Sequence, residues 1–215
     1  MKILFIGNSY TFFNDMPNIL EALAKENGED LTVFSVTKGG RKLYQNLTEG
    51  DEWGEKIKAL CAEHSFDALI LQEQSYLPVV DEAKFIEGAS ALKDLVGARR
   101  TILYSTWGRK EGCPLLDELN MTSEEMTEAL ANAYKRCSEA IGAEISYVGR
   151  TFSKIRKACG EVELYSKDLS HPSYDGSVTA ALCLYNTALG KMPNSYKSIS
   201  TNSSILTTII DMINS

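Results

Sequence analysis

Short apolar runs alternate with amphipathic stretches along almost the whole chain of 215 residues, and this alternation limits the folds that are open to it. The runs are continuous, aliphatic or β-branched, and only a few residues long. Such runs are typical of strands buried on both faces of a parallel sheet. The pattern predicts five strands, at residues 2–6, 31–36, 68–71, 100–105 and 145–148.

Between these strands, apolar residues three or four positions apart predict amphipathic helices. Asp15 is a candidate N-cap that precedes Pro17 in a first helical turn, and Thr122 with Glu125 has the spacing of a capping box. The pattern predicts helices at residues 16–25, 52–63, 81–95, 123–141, 174–189 and 205–212.

The alternation of strands and helices indicates an α/β protein, a three-layer α/β/α flavodoxin-like domain with a five-stranded parallel sheet and right-handed crossovers. A chain of this length with 44% hydrophobic residues can bury one core. No repeat or long linker divides it, so we expect a single domain over residues 1–215. Ligand sites in such sheets lie beyond the carboxyl ends of the strands.

Composition and charge exclude several classes of function. The net charge is −7 with scattered lysines and arginines, so we expect no nucleic-acid partner. No run approaches the ~20 apolar residues of a membrane helix. The chain enters its first strand without a secretory leader, which predicts a cytoplasmic protein, or a secreted one whose leader has been removed. The five cysteines are widely spaced and form no Cys-x-x-Cys pair, so we expect no disulfide, no metal site and no other cofactor.

Two segments carry the residues of a nucleophilic site. Ser9 follows the first predicted strand, and Asp168-x-x-His171 contains one of only two histidines in the chain. A serine hydroxyl needs a base to remove its proton, and the histidine that does so is usually oriented by a carboxylate. Ser9, His171 and Asp168 are therefore the candidate catalytic residues. The other histidine, His64, ends a predicted helix and is expected to interact with that helix terminus.

An acyl-transfer site also needs hydrogen-bond donors for the oxyanion of its tetrahedral intermediate. The candidate donors are the backbone N–H of Ser9, the backbone N–H of Gly40 after the second strand, and the side-chain amide of Gln74 after the third. A glycine suits this role because a bare backbone can approach a ligand closely.

These segments resemble the sequence blocks of the SGNH (GDSL-type) hydrolases. Residues 7–11, Gly-Asn-Ser-Tyr-Thr, are similar to the first block, with Asn8 where the family often has Asp. Gly39-Gly40 resembles the second block, whose glycine donates a backbone N–H; Gly40 is preferred and Gly39 is the alternative. The Asp-x-x-His motif at 168–171 matches the last block.

The third block departs from the family pattern. The family usually has Gly-x-Asn-Asp after the third strand, whereas this chain has Gln72-Glu73-Gln74-Ser75, closer to the Gln-Gly-Glu segments of some acetyl-esterase branches. Gln74 is the preferred replacement for the family's Asn amide, and Gln72 is the alternative. Glu73 is interpreted as a structural hydrogen-bonding carboxylate. The resemblance extends over residues 3 to about 190.

The resemblance implies hydrolysis of an ester through a covalent acyl-enzyme. The expected substrate is a small molecule with a short acyl group, above all an acetylated sugar. Trp107 and other aromatic residues near the proposed site would suit a sugar ring or a short acyl chain; these are Tyr10, Phe12, Phe13 and Tyr76. The alternatives are a lipase or thioesterase of the same family, and a non-catalytic flavodoxin-like or carbohydrate-binding module. The sequence does not predict the oligomeric state.

Overall fold

Five parallel strands form one sheet in the order β2-β1-β3-β4-β5 in the computed structural model, which describes residues 1–215. The predicted parallel α/β fold is confirmed. Each predicted strand is present, and no end differs from its prediction by more than two residues. The strands are β1 (Lys2–Gly7), β2 (Thr32–Thr37), β3 (Ala68–Leu71), β4 (Arg100–Tyr104) and β5 (Glu144–Ser146).

The chain also forms ten α-helices, and the six predicted ones are among them. They are α1 (Ser9–Phe12), α2 (Met16–Glu26), α3 (Glu52–Glu63), α4 (Leu77–Val80), α5 (Glu82–Val96), α6 (Pro114–Leu119), α7 (Ser123–Ile141), α8 (Val148–Ala158), α9 (Tyr174–Leu189) and α10 (Ser203–Asn214). None of them combines the length and the apolarity needed to cross a membrane.

Four helices were not predicted. Three of them, α1, α4 and α6, are too short to show a helical period of apolar residues. The fourth, α8, has apolar residues at Val148, Phe152 and Ile155, a clear helical spacing. It was missed because the predicted fifth strand ran into Val148, where α8 begins.

The two predicted N-caps have different outcomes. The Thr122 hydroxyl accepts the Glu125 N–H at 3.2 Å and the Glu125 carboxylate accepts the Thr122 N–H at 2.8 Å, so the capping box of α7 is confirmed. Asp15 precedes α2, but its side chain does not cap the helix. Its backbone is left-handed, with φ of 58°, and its carboxylate instead accepts hydrogen bonds from the Asn18 side chain. Asp15 therefore occupies the predicted N-cap position of α2, but without the capping hydrogen bond that the prediction implied.

Alternate strand residues supply the two cores. Ile3 and Phe5 of β1 lie in the larger core with residues of α2, α8, α9 and α10. Leu4 and Ile6 lie in the core on the other face, with residues of α3, α5 and α7. All four side chains are buried, and each contributes on the order of 1.5–3 kcal/mol through removal of apolar surface from water. The sheet is thus the middle layer of three.

All five strands run in the same direction, so the loops that follow them leave the sheet at one edge. The start of α8 packs directly on the loop after β4. The Gly149 N–H donates to the Ser105 carbonyl at 3.0 Å, and a Cβ at Gly149 would lie 2.1 Å from the Thr106 carbonyl oxygen. Only glycine allows this approach, which supports the loop that contributes residues to the site described next.

Gly149→Ala is expected to destabilise the protein, because its methyl group would force α8 away from the Thr106 carbonyl. Overpacking of this kind costs about 1–3 kcal/mol and should lower the melting temperature by about 3 °C or more. Thermal unfolding followed by circular dichroism measures the change. Gly160→Ala is the matched control, since its Cβ would meet only the Arg156 carbonyl at 4.0 Å. Equal melting temperatures for the two variants would contradict the argument.

Candidate active site

The turn between β1 and α1 presents Ser9. Asn8 is the N-cap of α1; its side-chain oxygen accepts the Tyr10 N–H at 3.2 Å, and its amide donates to the Arg41 carbonyl at 3.1 Å. As the first residue of α1, Ser9 has a backbone N–H without an intrahelical acceptor. The N-cap thus places both the hydroxyl and the N–H of Ser9 at the carboxyl edge of the sheet.

The motif at residues 168–171 folds into a turn that aims His171 at Ser9. One carboxylate oxygen of Asp168 accepts the N–H groups of Ser170 and His171 at 3.0 and 2.9 Å. The other lies 2.5 Å from His171 Nδ1, and His171 Nε2 lies 2.8 Å from Ser9 Oγ. This continuous chain of hydrogen bonds has the geometry of a nucleophile, a base and an orienting carboxylate.

Aromatic residues hold the histidine turn in place. The Phe13 ring stacks on the His171 imidazole with centroids 4.2 Å apart and planes 11° apart. Trp107 Nε1 donates to the Ser170 carbonyl at 3.1 Å, and the Tyr10 hydroxyl lies 3.0 Å from Ser170 Oγ. The ring of His171 is therefore constrained on one face and through its own backbone.

Asp168 is held in its ionised form. Burial by itself would raise the pKa of this carboxyl group, but hydrogen bonds from the His171 ring and from the backbone N–H groups of His171 and Ser170 outweigh it. The pKa of Asp168 is consequently lower than its ordinary value. An ionised Asp168 can fix the His171 tautomer that leaves Nε2 free to accept the proton of Ser9.

Gly39, Gly40 and Gln74 lie beside Ser9 and line the same cavity. The N–H groups of the two glycines donate no hydrogen bond within the chain, and Gly40 has a left-handed backbone with φ of 68°. The side-chain oxygen of Gln74, Oε1, accepts the N–H groups of Tyr76 and Leu77 at 3.3 and 3.1 Å. These bonds fix the orientation of the amide. Its nitrogen donates one hydrogen bond to Ser75 Oγ at 3.4 Å, and its second N–H remains available as a donor.

Gln72, the alternative donor, is not part of the cavity, and this prediction is corrected. Its side chain is buried beneath the turn after β1. The carbonyl oxygen of its amide accepts the Asn8 N–H at 2.9 Å and the Thr11 hydroxyl at 2.9 Å, and the amide nitrogen donates to the Glu73 carbonyl. Both ends of the amide are thus engaged, and Gln72 has a structural role.

Trp107 is also corrected, because it cannot contact a ligand. Its ring is fully buried, stacked between Tyr10 at 4.8 Å and Phe152 at 4.0 Å. Among the other aromatic candidates, only Tyr10 lines the cavity; Phe12 and Tyr76 do not. Aromatic residues that follow a strand can be core residues as readily as binding residues, and the sequence does not separate the two.

Glu73 links the loops after β2 and β3. Its buried carboxyl group accepts the Leu43 N–H at 3.1 Å and the Gln74 N–H at 2.5 Å, which confirms the structural interpretation. Burial raises the pKa of Glu73 to about 8, although the two backbone donors and Lys42 lower it in part. The group is therefore mostly protonated at neutral pH.

Sequence reasoning missed Arg109 and Ser75, which also line the cavity. Arg109 Nη2 donates to Ser75 Oγ at 2.7 Å. The signal was present in the sequence, since Arg109 lies in the loop after β4, at the edge where ligand sites occur. His64 lies outside the cavity, where its ring packs 4.6 Å from that of Phe34. No group of three His, Cys, Asp or Glu side chains in the chain is arranged to hold a metal ion.

The cavity has a volume of about 340 Å³ and is lined mainly by polar residues. Tyr10 is its one hydrophobic lining residue. The full lining consists of Asn8, Ser9, Tyr10, Gly39, Gly40, Gln74, Ser75, Arg109, Ser170 and His171. These residues come from the loops after four strands and from the turn before α9.

Solved structures show the family. A candidate SGNH hydrolase from Slackia heliotrinireducens is 30% identical to this chain, with a TM-score of 0.76 over 87% of this chain and 98% of its own. The chain belongs to the SGNH hydrolase superfamily. No model of a known protein family matches it, and neither does any curated protein sequence.

Two further structures share the SGNH fold at lower identity. A DUF4886 family protein from Bacteroides uniformis is 15% identical, with a TM-score of 0.81 over 99% of this chain and 93% of its own. A mutant of an acetyl-xylooligosaccharide esterase from a Geobacillus species is 15% identical, with a TM-score of 0.59 over 94% of this chain and 95% of its own. Family membership favours a hydrolase over the flavodoxin-type alternative.

The pKa of Glu73 predicts a pH-dependent stability. Its value of about 8 in the folded protein lies above the ordinary 4.5, so its contribution is fully present below about pH 4.5 and is lost as the pH rises through 8. Glu73→Gln mimics the protonated group at every pH. The melting temperature of the variant minus that of the wild type should therefore be larger at pH 8 than at pH 5, by about 5 °C or more. A constant difference across this range would contradict the assignment.

Proposed function

We propose that this SGNH-type protein is a serine esterase that removes short acyl groups, above all acetyl groups, from a carbohydrate. The proposal depends on one observation: the hydrogen-bonded series Ser9–His171–Asp168 opens onto a small polar cavity. This combination supplies a nucleophile, a base, and room for a small polar ester.

The reaction would follow from the geometry of these side chains. His171 Nε2 accepts the proton of Ser9 Oγ as the oxygen attacks the ester carbonyl carbon. The resulting oxyanion accepts hydrogen bonds from the Ser9 N–H, the Gly40 N–H and the Gln74 amide. His171 then donates its proton to the leaving alcohol, and an acyl-enzyme forms on Ser9. A water molecule, deprotonated by His171, repeats the sequence and releases the acid and free Ser9.

The cavity supports a short acyl group and a hydroxyl-rich alcohol. Its volume of about 340 Å³ is small, and its walls carry hydroxyl, amide and guanidinium groups. Since Trp107 is buried, sugar recognition would rest on hydrogen bonds rather than on stacking against that ring. The Geobacillus neighbour carries the name of an acetyl-xylooligosaccharide esterase. At 15% identity it gives a precedent for this chemistry on the fold and no more.

A lipase or thioesterase is the second possibility within the family. Long acyl chains need an extended apolar surface beside the nucleophile. Tyr10 is the one hydrophobic residue that lines the cavity, which favours a short acyl group over a long one. A non-catalytic binding module is also less well supported, because it would have no use for a complete hydrogen-bonded triad.

Ser9→Ala and His171→Ala are each expected to lower kcat for p-nitrophenyl acetate by at least about 10³-fold, since either change removes the activated nucleophile. Initial rates at saturating ester measure the effect, and melting temperatures verify folding. Ser35→Ala and His64→Ala are matched controls: Ser35 is exposed on an edge strand, and His64 lies outside the cavity. Wild-type rates in Ser9→Ala would disprove the nucleophile assignment.

The polar cavity predicts a preference for short acyl groups. Across p-nitrophenyl acetate, butyrate and octanoate, kcat/KM should fall by about tenfold or more from acetate to octanoate, because the longer chain finds little apolar surface to contact. Release of acetate from acetylated xylo-oligosaccharides tests whether the alcohol part of the substrate is a carbohydrate. A profile that rises toward octanoate would favour the lipase or thioesterase alternative.

A further inference from the structure

Arg109 is a buried cation that forms no ion pair, and the carboxylate whose charge acts on it, Asp168, is bound to His171. Its side chain lines the cavity, yet the residue is only 8% exposed. Nη2 donates to the Ser75 hydroxyl, while Nη1 has no hydrogen-bond partner. The guanidinium also lies 5.4 Å from the centre of the Tyr10 ring. Neither contact neutralises its charge.

Every other arginine of the chain forms an ion pair with an aspartate or glutamate. These are Arg41, Arg99, Arg100, Arg136, Arg150 and Arg156. Arg109 is the exception, and it is the one classed as buried. The one arginine among the buried residues is therefore also the one that forms no ion pair.

An isolated buried charge is costly, since the low-dielectric interior does not replace its hydration. Burial lowers the pKa of Arg109, but a guanidinium remains protonated at neutral pH. The cost is offset when an anion binds, and a planar guanidinium with free N–H groups matches the oxygens of a carboxylate or a phosphate.

The rest of the cavity is also suited to an anion. No carboxylate lines it. Lys38 and Lys42 flank the glycines of the loop after β2, and neither forms an ion pair, in contrast to the overall net charge of −7. Glu73 beneath this loop has a pKa of about 8 and is mostly neutral at pH 7. Asp168 is ionised but lies outside the lining and is bound to His171, so Arg109 is the one charged side chain among the lining residues, if His171 is neutral.

Ser75 connects the buried charge to the cavity. Because Ser75 Oγ accepts the hydrogen bond from Arg109 Nη2 at 2.7 Å, its own hydrogen is free to donate. A hydroxyl polarised by a guanidinium is a strong donor for an anion. Arg109 and Ser75 line the same cavity as Ser9, so an anion held there would belong to the molecule that is being hydrolysed.

We propose that Arg109 and the Ser75 hydroxyl bind an anionic group, a carboxylate or a phosphate, on the ester substrate. The expected substrate is then an acidic sugar ester, or another ester that carries a carboxylate or a phosphate, rather than an uncharged acetylated sugar. This inference rests on the proposed esterase function and adds the charge of its substrate.

A matched pair of esters tests the proposal. The ester 4-acetoxybenzoate carries a carboxylate, its methyl ester is neutral, and 4-acetoxyphenyl phosphate provides the phosphate arm. Wild-type kcat/KM should be higher for at least one anionic ester than for the neutral one. Arg109→Gln should lower kcat/KM for that anionic ester on the order of 10- to 100-fold more than for the neutral ester. Arg109→Lys, which keeps the charge, should lie between.

Arg150→Gln is the control, because Arg150 pairs with Glu128 and lies outside the cavity. It should leave the ratio of the two esters unchanged within about twofold, as expected for a surface ion pair. Equal losses on charged and neutral esters in both Arg109 variants would overturn the proposal and leave Arg109 a structural residue. Melting temperatures establish that each variant is folded.

A binding measurement separates this inference from the esterase proposal. Benzoate, phenyl phosphate and neutral benzamide are titrated into Ser9→Ala and into Ser9→Ala/Arg109→Gln by calorimetry. Binding of one anion that exceeds benzamide binding and falls about tenfold or more without Arg109 supports the anion site even if no ester is hydrolysed. Equal binding of anions and benzamide overturns it, whatever the esterase assays show.

Discussion

The site depends on buried polar side chains that bind the backbone of neighbouring loops. Gln72 accepts hydrogen bonds from the Asn8 N–H and the Thr11 hydroxyl, and Glu73 accepts those of Leu43 and Gln74. A Cβ at Gly7 would lie 2.8 Å from the side-chain oxygen of Gln72. The hydrogen bonds of Gln72 to Asn8 and Thr11 therefore require a glycine at position 7. Two adjacent residues after β3 thereby hold the loops after β1 and β2. A buried amide or carboxyl group without a hydrogen-bond partner destabilises the fold. Other arrangements of these loops would break the hydrogen bonds of Gln72 and Glu73, so the observed arrangement is favoured.

The departures from the family's usual motifs are consistent with this network. Asn8 stands where the family often has Asp, and its amide donates to the Arg41 carbonyl, which a carboxylate could not do. The bond connects the turn that carries Ser9 to the segment that follows Gly40. In the third block, Gln74 keeps its amide oriented through the N–H groups of Tyr76 and Leu77. The altered residues therefore supply positioning contacts of their own.

The electrostatics of the cavity follow from burial as much as from charge. Asp168 is ionised because hydrogen bonds outweigh its partial burial, and Glu73 is mostly neutral because burial outweighs its hydrogen bonds. Arg109 keeps its proton, forms no ion pair, and has an Nη1 group without a hydrogen-bond partner. The result is a small cavity with one oriented base, several free donors and the positive charge of Arg109. Such a cavity suits an ester with a polar and, by our inference, anionic alcohol.

The sequence by itself determined the parallel sheet and the Asp-x-x-His turn, because both depend on local patterns: apolar runs of strand length, and a carboxylate that binds the backbone two and three residues ahead. Tertiary structure decided which polar and aromatic residues face the cavity. Gln72 and Trp107 follow their strands as Gln74 and Arg109 do, yet only Gln74 and Arg109 line the cavity. Whether a side chain in such a loop is directed inward depends on partners more than 60 positions away for Gln72 and Trp107. The spacing of residues along the chain does not identify those partners.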